Sequence, residues 1–177
     1  METHVGRGIG KYIESELFSA KHYVLISTPA VSKIFAEKLI DMTKNGIKIK
    51  VITSNTGAAD SDDANLLVRQ FTSSYDDSSN IEKNLEYKIV STKEVPLIHA
   101  KIYVIDGKCA ITGSANLTEN SFFNFAEYIQ ITRDQNEIKK IESDYNELWN
   151  QYHDSELEKP GTKKNLKNLI RQARRKL

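Results

Sequence analysis

Four polar residues between positions 99 and 116 have types and spacing suited to the attack on a phosphodiester. His99 and Lys101 are two residues apart, and Ser114 and Asn116 follow Gly113 at the same spacing. A neutral imidazole can attack phosphorus and form a covalent intermediate. An ammonium, a hydroxyl and an amide can stabilise the charge that spreads over the non-bridging oxygens. A histidine alone on a strand is usually structural, but the combined spacing favours a catalytic site.

A predicted β-hairpin must bring these side chains together. The apolar runs 97–105 and 109–112 flank Asp106-Gly107, the dipeptide best suited to a type I′ turn. We expect a structural role for Asp106, because aspartate is favoured in turns for local reasons.

The two ends of this hairpin should form one surface. His99 and Lys101 share a face if residues 97–105 are extended, since side chains two apart in a strand point the same way. The second strand leads into the loop with Ser114 and Asn116, where Gly113 permits a close approach of the backbone.

The first third of the chain predicts a βαβ unit on a parallel sheet. Apolar periodicity predicts helices at 9–20 and 32–44, the second capped by Ser32. A short apolar run predicts a buried strand at 23–27, and alternation of apolar residues predicts a strand at 47–53. A strand, helix and strand of this length pair in parallel.

Later elements complete a prediction of the α/β class, with a mixed, mostly parallel sheet flanked by helices. Residues 54–84 read as loops around a short helix at 64–71. Strands are predicted at 85–90 and 127–132, and a long helix at 134–152. The acidic cluster at 60–63 is interpreted as a polar loop that caps the 64–71 helix, in preference to a metal site.

The segment from His99 to Asn116 resembles the HKD motif of the phospholipase D superfamily, with every defining position filled. The pair Asn124 and Glu127 resembles the Asn-x-x-Glu element that follows this motif in the family. The order of elements over residues 5–155 is also similar to the α/β half-domain of that superfamily.

The resemblance implies a role for each motif residue. His99 would be the nucleophile that forms a phosphohistidine, and Glu127 would accept a hydrogen bond from its imidazole and orient it. The remaining positions are the Asp106 turn and the residues that would hold phosphate oxygens, which are Lys101, Gly113, Ser114 and Asn116. The resemblance implies neither a metal nor a cofactor.

The resemblance also implies a homodimer through the active-site face. The family's mechanism needs a second imidazole as proton donor, and this chain has one His-x-Lys sequence. A symmetric dimer would supply it from a second His99. The other histidines, His4, His22 and His153, lack the motif context and are expected to be structural.

Composition and charge predict one catalytic domain at 1–160 and a basic amphipathic helix at 161–177. Of the chain's 177 residues, 162–177 hold seven basic residues and no acidic one, whereas the remainder holds 18 basic and 24 acidic residues. The tail could bind nucleic acid, lie on an anionic membrane, pack across the dimer or remain solvated, and nucleic acid is the favoured partner.

The sequence predicts a cytoplasmic protein. No apolar run is long enough for a transmembrane helix, and the first residues do not resemble a signal peptide. The single cysteine, Cys109, is expected to fill the core.

Short single-motif members of the superfamily are mostly nucleases, so the first hypothesis is a metal-independent nuclease that hydrolyses DNA or RNA. The second is a phospholipid phosphodiesterase or transphosphatidylase. The third is a non-catalytic nucleic-acid-binding or dimerisation module.

Overall fold

The computed structural model describes residues 1–72, 84–92, 95 and 97–154. Within these ranges the chain forms seven strands, four α-helices and one π-helical turn. In chain order they are β1 (Glu2–Gly6), α1 (Gly10–Leu17), β2 (Tyr23–Ser27), α2 (Lys33–Lys44), β3 (Lys48–Ser54), α3 (Ala59–Thr72), β4 (Leu85–Val90), β5 (Ile102–Ile105), β6 (Cys109–Gly113), the π-helical turn (Asn120–Asn124), β7 (Glu127–Thr132) and α4 (Gln135–Gln151). The predicted basic helix at 161–177 lies outside the described residues.

The strands form one mixed sheet in the order β1-β7-β6-β5-β2-β3-β4. The predicted α/β class and the parallel β2-α2-β3 unit are confirmed. The expectation of a mostly parallel sheet is wrong, because only β2–β3 and β3–β4 are parallel among the six pairs of described strands. The β5–β6 hairpin and the β6–β7 connection, which contains the π-helical turn, join neighbouring strands without a crossover, which produces antiparallel pairs. Strand β1 was not predicted, because its side chains are mostly exposed and show no apolar alternation.

Two hydrophobic layers cover the sheet. The larger layer contains Ile13 of α1 and Phe35 of α2, and Cys109 lies in it, as predicted. The smaller layer contains Tyr145 of α4, packed with Ile52. Burying a large apolar side chain of this kind contributes roughly 1.5–3 kcal/mol. Within the described ranges, no helix has the length and apolar character needed to cross a membrane.

Helix α3 begins earlier than predicted. The acidic residues 60–63, interpreted from the sequence as a loop, lie in its first turns. Carboxylates are favoured there by the partial positive charge of a helix N-terminus. Asp60 also accepts a hydrogen bond from the backbone N–H of Lys33 at 3.2 Å, which links α3 to the start of α2. Among the described residues, no group of three or more His, Cys, Asp or Glu side chains is placed to hold a metal ion.

Ser32 occupies the predicted N-cap position of α2, but its hydroxyl does not cap the helix. Its Oγ instead accepts a hydrogen bond from the backbone N–H of Glu119 at 3.1 Å. The residue that directly precedes the helix therefore anchors the loop after β6.

The first strand of the hairpin is shorter than predicted, since β5 begins at Ile102 and residues 97–101 are irregular. Ile102 pairs with Ser27, the last residue of β2. Because β2 ends there, residues 97–101 run beyond the edge of the sheet. The expectation that His99 and Lys101 share a strand face is therefore wrong.

The hairpin turn has the predicted geometry. Asp106 and Gly107 have φ angles of 52° and 61°, and the N–H of Lys108 donates to the carbonyl of Ile105 at 2.9 Å. Two positive φ angles in succession are what a type I′ turn requires.

The Asp106 carboxylate binds the backbone that leads into β2. It accepts hydrogen bonds from the N–H groups of Lys21, His22 and Tyr23 at 2.8, 2.8 and 2.9 Å. Burial on its own would raise the pKa of this carboxyl, but the three N–H donors outweigh burial and lower the pKa. The ionised carboxylate therefore stabilises the fold.

We expect Asp106→Asn to lower the free energy of unfolding by about 1 to 2 kcal/mol at pH 7. Asparagine tolerates the positive φ but has one acceptor oxygen, and its NH₂ group would face one of the three N–H donors. The lowered pKa means that the wild-type advantage is present above the unfolded-state pKa and is lost on acidification, so it should shrink below pH about 4. Urea denaturation of both proteins as a function of pH measures this difference in the free energy of unfolding. The exposed Asp144→Asn control on α4 should change little at either pH, and equal losses in the two variants would contradict the assignment.

Candidate active site

The segment that carries His99 crosses the carboxyl ends of β2 and β3. The N–H of Ile98 donates to Ser54 Oγ at 2.7 Å, and Ser27 Oγ donates to the carbonyl of Ala100 at 3.0 Å. The His99 side chain is exposed, and its imidazole forms no hydrogen bond or ion pair with any residue that the structure describes. The backbone of His99 is therefore fixed while its ring remains accessible.

Lys101 is buried, in contrast to His99, with 7% of its surface exposed. Its Nζ donates to the carbonyl of His99 at 2.8 Å. Burial lowers the pKa of the Lys101 ammonium, and the negative charge of Glu127 opposes this shift. The positive charge therefore lies beside the backbone of the candidate nucleophile, even though the two residues do not share a strand.

Ser114 and Glu127 face each other across the ends of β6 and β7. Ser114 Oγ donates to Glu127 Oε2 and accepts from the N–H of Tyr128 at 3.0 Å. The resemblance implied that Glu127 would bind the imidazole of His99, but the structure places its carboxylate on the Ser114 hydroxyl instead. The largely buried Glu127 is thus fixed by the strand pair that carries it.

Gly113 lies where the backbones of β6 and β7 approach most closely. A Cβ added there would be 2.1 Å from the carbonyl oxygen of Tyr128, and the φ of Gly113 is +155°. No larger side chain fits without moving β7. This approach also lets the N–H of Ser114 donate to the carbonyl of Tyr128 at 2.9 Å.

The loop that carries Asn116 is fixed by two hydrogen bonds to buried side chains. Tyr103 donates its hydroxyl to the carbonyl of Ala115 at 2.9 Å, and the N–H of Leu117 donates to Thr28 Oγ1 at 3.2 Å. The Oδ1 atom of Asn116 is buried and has no hydrogen-bond partner among the described residues. Because leaving a buried polar atom unpaired costs about 1–3 kcal/mol, this oxygen is an available hydrogen-bond acceptor at this end of the sheet.

The structure brings five of the six candidate catalytic residues to one edge of the sheet and separates the sixth. His99, Lys101, Ser114, Asn116 and Glu127 lie at the ends of β2, β5, β6 and β7. Asp106 lies at the far end of β5, about 13 Å along the strand from Ile102 at 3.3 Å per residue.

The other histidines have contacts of their own. His4 stacks on Tyr12 at 3.6 Å between ring centroids and bonds Glu2 at 2.6 Å. His22 lies at the amino end of β2, opposite the site, and His153 follows α4.

Three buried hydroxyl residues next to the site were not predicted from the sequence, namely Ser27, Thr28 and Ser54. A signal for them exists in the sequence. Each follows or ends an apolar run that forms a parallel strand, and sites of α/β proteins lie at the carboxyl ends of such strands, where the strand order reverses.

The match to a family model now identifies the class of protein. The model described as "Cardiolipin synthase, PLD-like domain" matches residues 13–149, which is more than half of the chain. The chain therefore belongs to the phospholipase D-like family.

Solved structures share this fold. NucT from Helicobacter pylori is 21% identical with a TM-score of 0.64, and Nuc from Salmonella typhimurium, a phospholipase D family member, is 18% identical with a TM-score of 0.65. Both alignments cover 86% of this chain and 97% of the other chain. The phosphatidylserine synthase of Haemophilus influenzae Rd KW20 is 16% identical with a TM-score of 0.57, over 98% of this chain and 45% of the synthase. No curated protein sequence matches the chain.

We expect Gly113→Ala to lower the free energy of unfolding by more than about 2 kcal/mol, because the new methyl group would push β7 away from the site. Gly46→Ala is the matched control. Gly46 also has a positive φ, of +87°, but a Cβ there would meet nothing within 4 Å, so it should cost only about 1 kcal/mol of backbone strain. Thermal and urea unfolding of both variants measure the difference. Equal destabilisation would show that the close approach to Tyr128 is unimportant.

Proposed function

We propose that this chain is a metal-independent phosphodiesterase and that its substrate is DNA or RNA. One observation carries the proposal: an exposed imidazole at His99 lies on a backbone that the buried Lys101 ammonium contacts at 2.8 Å. A nucleophile and a fixed positive charge thus lie at the same end of the sheet as Asn116, whose amide oxygen has no hydrogen-bond partner among the described residues. This is the combination that an attack on a phosphodiester requires.

The proposed reaction has two steps. The neutral imidazole of His99 attacks phosphorus, an N–P bond forms, and the bond to the leaving oxygen breaks as that oxygen takes a proton from a second imidazole. Water then gives a proton back to the second imidazole and attacks phosphorus, and the N–P bond breaks. Lys101 and Asn116 would bind the non-bridging oxygens. Two imidazoles that share one proton should give a bell-shaped pH profile.

The likeness to NucT and Nuc supports a nucleic-acid substrate over a lipid. Their TM-scores of 0.64 and 0.65 exceed the 0.57 of the phosphatidylserine synthase, and the chain aligns with 97% of each of them but with 45% of the synthase. The seven basic residues of 162–177 would add attraction to a polyanion through counterion release.

A phospholipid is the second candidate substrate. The description of the matching family model names cardiolipin synthase. In addition, Phe123 and Phe125 are 52% and 55% exposed close to Glu127, and such side chains could contact acyl chains.

A second copy of this chain would supply the missing imidazole. The sequence contains one His-x-Lys, while His4 stacks on Tyr12 and His22 lies at the opposite end of β2. Phe123 and Phe125 flank Asn124 just before β7. We assign these exposed rings to the contact between the two copies, because burying them would offset the cost of association.

The substrate is tested with plasmid DNA and structured RNA in the presence of EDTA. We expect wild-type protein to cleave, and His99→Ala to lose at least about 1000-fold in rate, because it removes the nucleophile. His22→Ala is the control, since the exposed His22 is bonded through its backbone at the opposite end of β2.

Release of headgroups from phosphatidyl lipids without nucleic-acid cleavage would refute the nucleic-acid substrate and support a phospholipid substrate. Loss of activity with EDTA and recovery with Mg²⁺ would refute metal independence. Equal cleavage by His99→Ala would refute the assigned nucleophile.

The dimer is tested by sedimentation. Replacing both Phe123 and Phe125 with serine should weaken self-association by about 100-fold, because each copy loses two buried rings. Leu66→Ser on α3 is the control, since Leu66 is exposed to a similar extent, 49%, but lies away from β7. A wild-type protein that is fully active as a strict monomer would refute the dimer, and a double variant that dimerises normally would refute the assigned contact.

A further inference from the structure

Two consecutive residues at the carboxyl end of β2 contact the two segments of the motif, one that carries His99 and one that carries Asn116. Ser27, the last residue of the strand, donates from its Oγ to the carbonyl of Ala100 at 3.0 Å, directly after His99. Its side chain is fully buried. This hydroxyl therefore binds the backbone of the segment that carries the candidate nucleophile.

Thr28, the next residue, binds the segment that carries Asn116. Thr28 Oγ1 accepts from the N–H of Leu117 at 3.2 Å, directly after Asn116, and donates to the carbonyl of Ala30 at 2.9 Å. Thr28 is also fully buried. The hydroxyl thus both donates and accepts a hydrogen bond, and the two contacts together favour one orientation of the side chain.

Ser54, at the end of the neighbouring strand β3, completes the contacts. Its Oγ accepts from the N–H of Ile98 at 2.7 Å, and it is 1% exposed. Because residues 97–101 extend past the end of β2, their backbone groups lack strand partners on that side and need other ones. Hydroxyls provide them on each side of His99.

We propose that Ser27, Thr28 and Ser54 are positioning residues that fix His99 relative to Asn116. The inference rests on the proposed function, because it assigns these hydroxyls to the geometry of that reaction. Ser27 and Thr28 are consecutive, so their Cα atoms are about 3.8 Å apart whatever the rest of the chain does. Ser27 binds the carbonyl of Ala100, and Thr28 binds the N–H of Leu117. These two hydrogen bonds therefore hold the segment with His99 at a fixed separation from the segment with Asn116.

A role in stability alone is the competing explanation. Loss of any buried hydroxyl contact lowers stability, but it would leave the turnover of the folded protein unchanged. A positioning role predicts lower turnover in the folded protein, because a shift of about 1 Å in a reacting group can cost about 100-fold in rate.

Two variants of Thr28 separate the hydroxyl from the methyl group. Thr28→Val keeps the shape and removes the hydroxyl, and it should lower kcat by about 10- to 100-fold with little change in KM. Thr28→Ser keeps the hydroxyl and should retain most of the activity. Thr43→Val is the matched control, because Thr43 is fully buried and donates to the carbonyl of Ile40 in the last turn of α2.

Amide hydrogen exchange gives a readout that does not require activity. The Leu117 amide should exchange faster in Thr28→Val than in Thr28→Ser, and the Ile98 amide should exchange faster in Ser54→Ala, with other core amides unchanged. Thr43→Val should change neither amide.

The outcomes distinguish this inference from the proposed function. Faster exchange at Leu117 with full turnover in Thr28→Val would overturn the positioning role. Unchanged exchange at Leu117 and Ile98 would overturn the contacts themselves. A wild-type protein that cleaves neither nucleic acid nor phosphatidyl lipid would overturn the proposed function, while the exchange data would still report on the contacts.

Discussion

The register between β2 and β5 is the constraint on which the site depends. Ile102 pairs with Ser27 and Ile105 pairs with Val24. A shift of one residue would turn every side chain of β5 to the other face of the sheet and would move the segment with His99 along the sheet edge. Each end of this pair carries a contact that opposes such a shift. Asp106 binds the backbone of residues 21–23 at one end, and Ser27 binds Ala100 at the other.

This arrangement explains how Asp106 can belong to the motif although its side chain does not contact the candidate reacting groups. Its carboxylate lies at the opposite end of β5 from His99. By fixing the turn against the entry to β2, it determines which residues of the chain extend past the sheet. Gly113 has a related effect on the next strand pair, since its close approach to Tyr128 sets the position of the Ser114–Glu127 contact.

Much of this fold could be predicted from the sequence, because it depends on local patterns. A short apolar run located β2, the alternation of apolar residues located β3 and β4, and the Asp106-Gly107 dipeptide located the turn. Patterns of this kind say little about where a strand loses its partner. The start of β5 at Ile102 is decided by the end of β2 at Ser27, and β1 pairs with β7, which is more than 100 residues away in the sequence. The contact of Glu127 with Ser114 rather than His99 likewise depends on how two strand ends meet in space.

The Asp106 contacts also leave a freedom that protein engineering could use. The carboxylate binds the backbone N–H groups of Lys21 and His22, and these contacts do not involve their side chains, which are exposed. Surface charge, solubility tags or labels for spectroscopy could be introduced at these two positions without loosening the hairpin. A reporter placed there would lie at the end of β2 opposite the site, where it could detect opening of the hairpin without touching substrate.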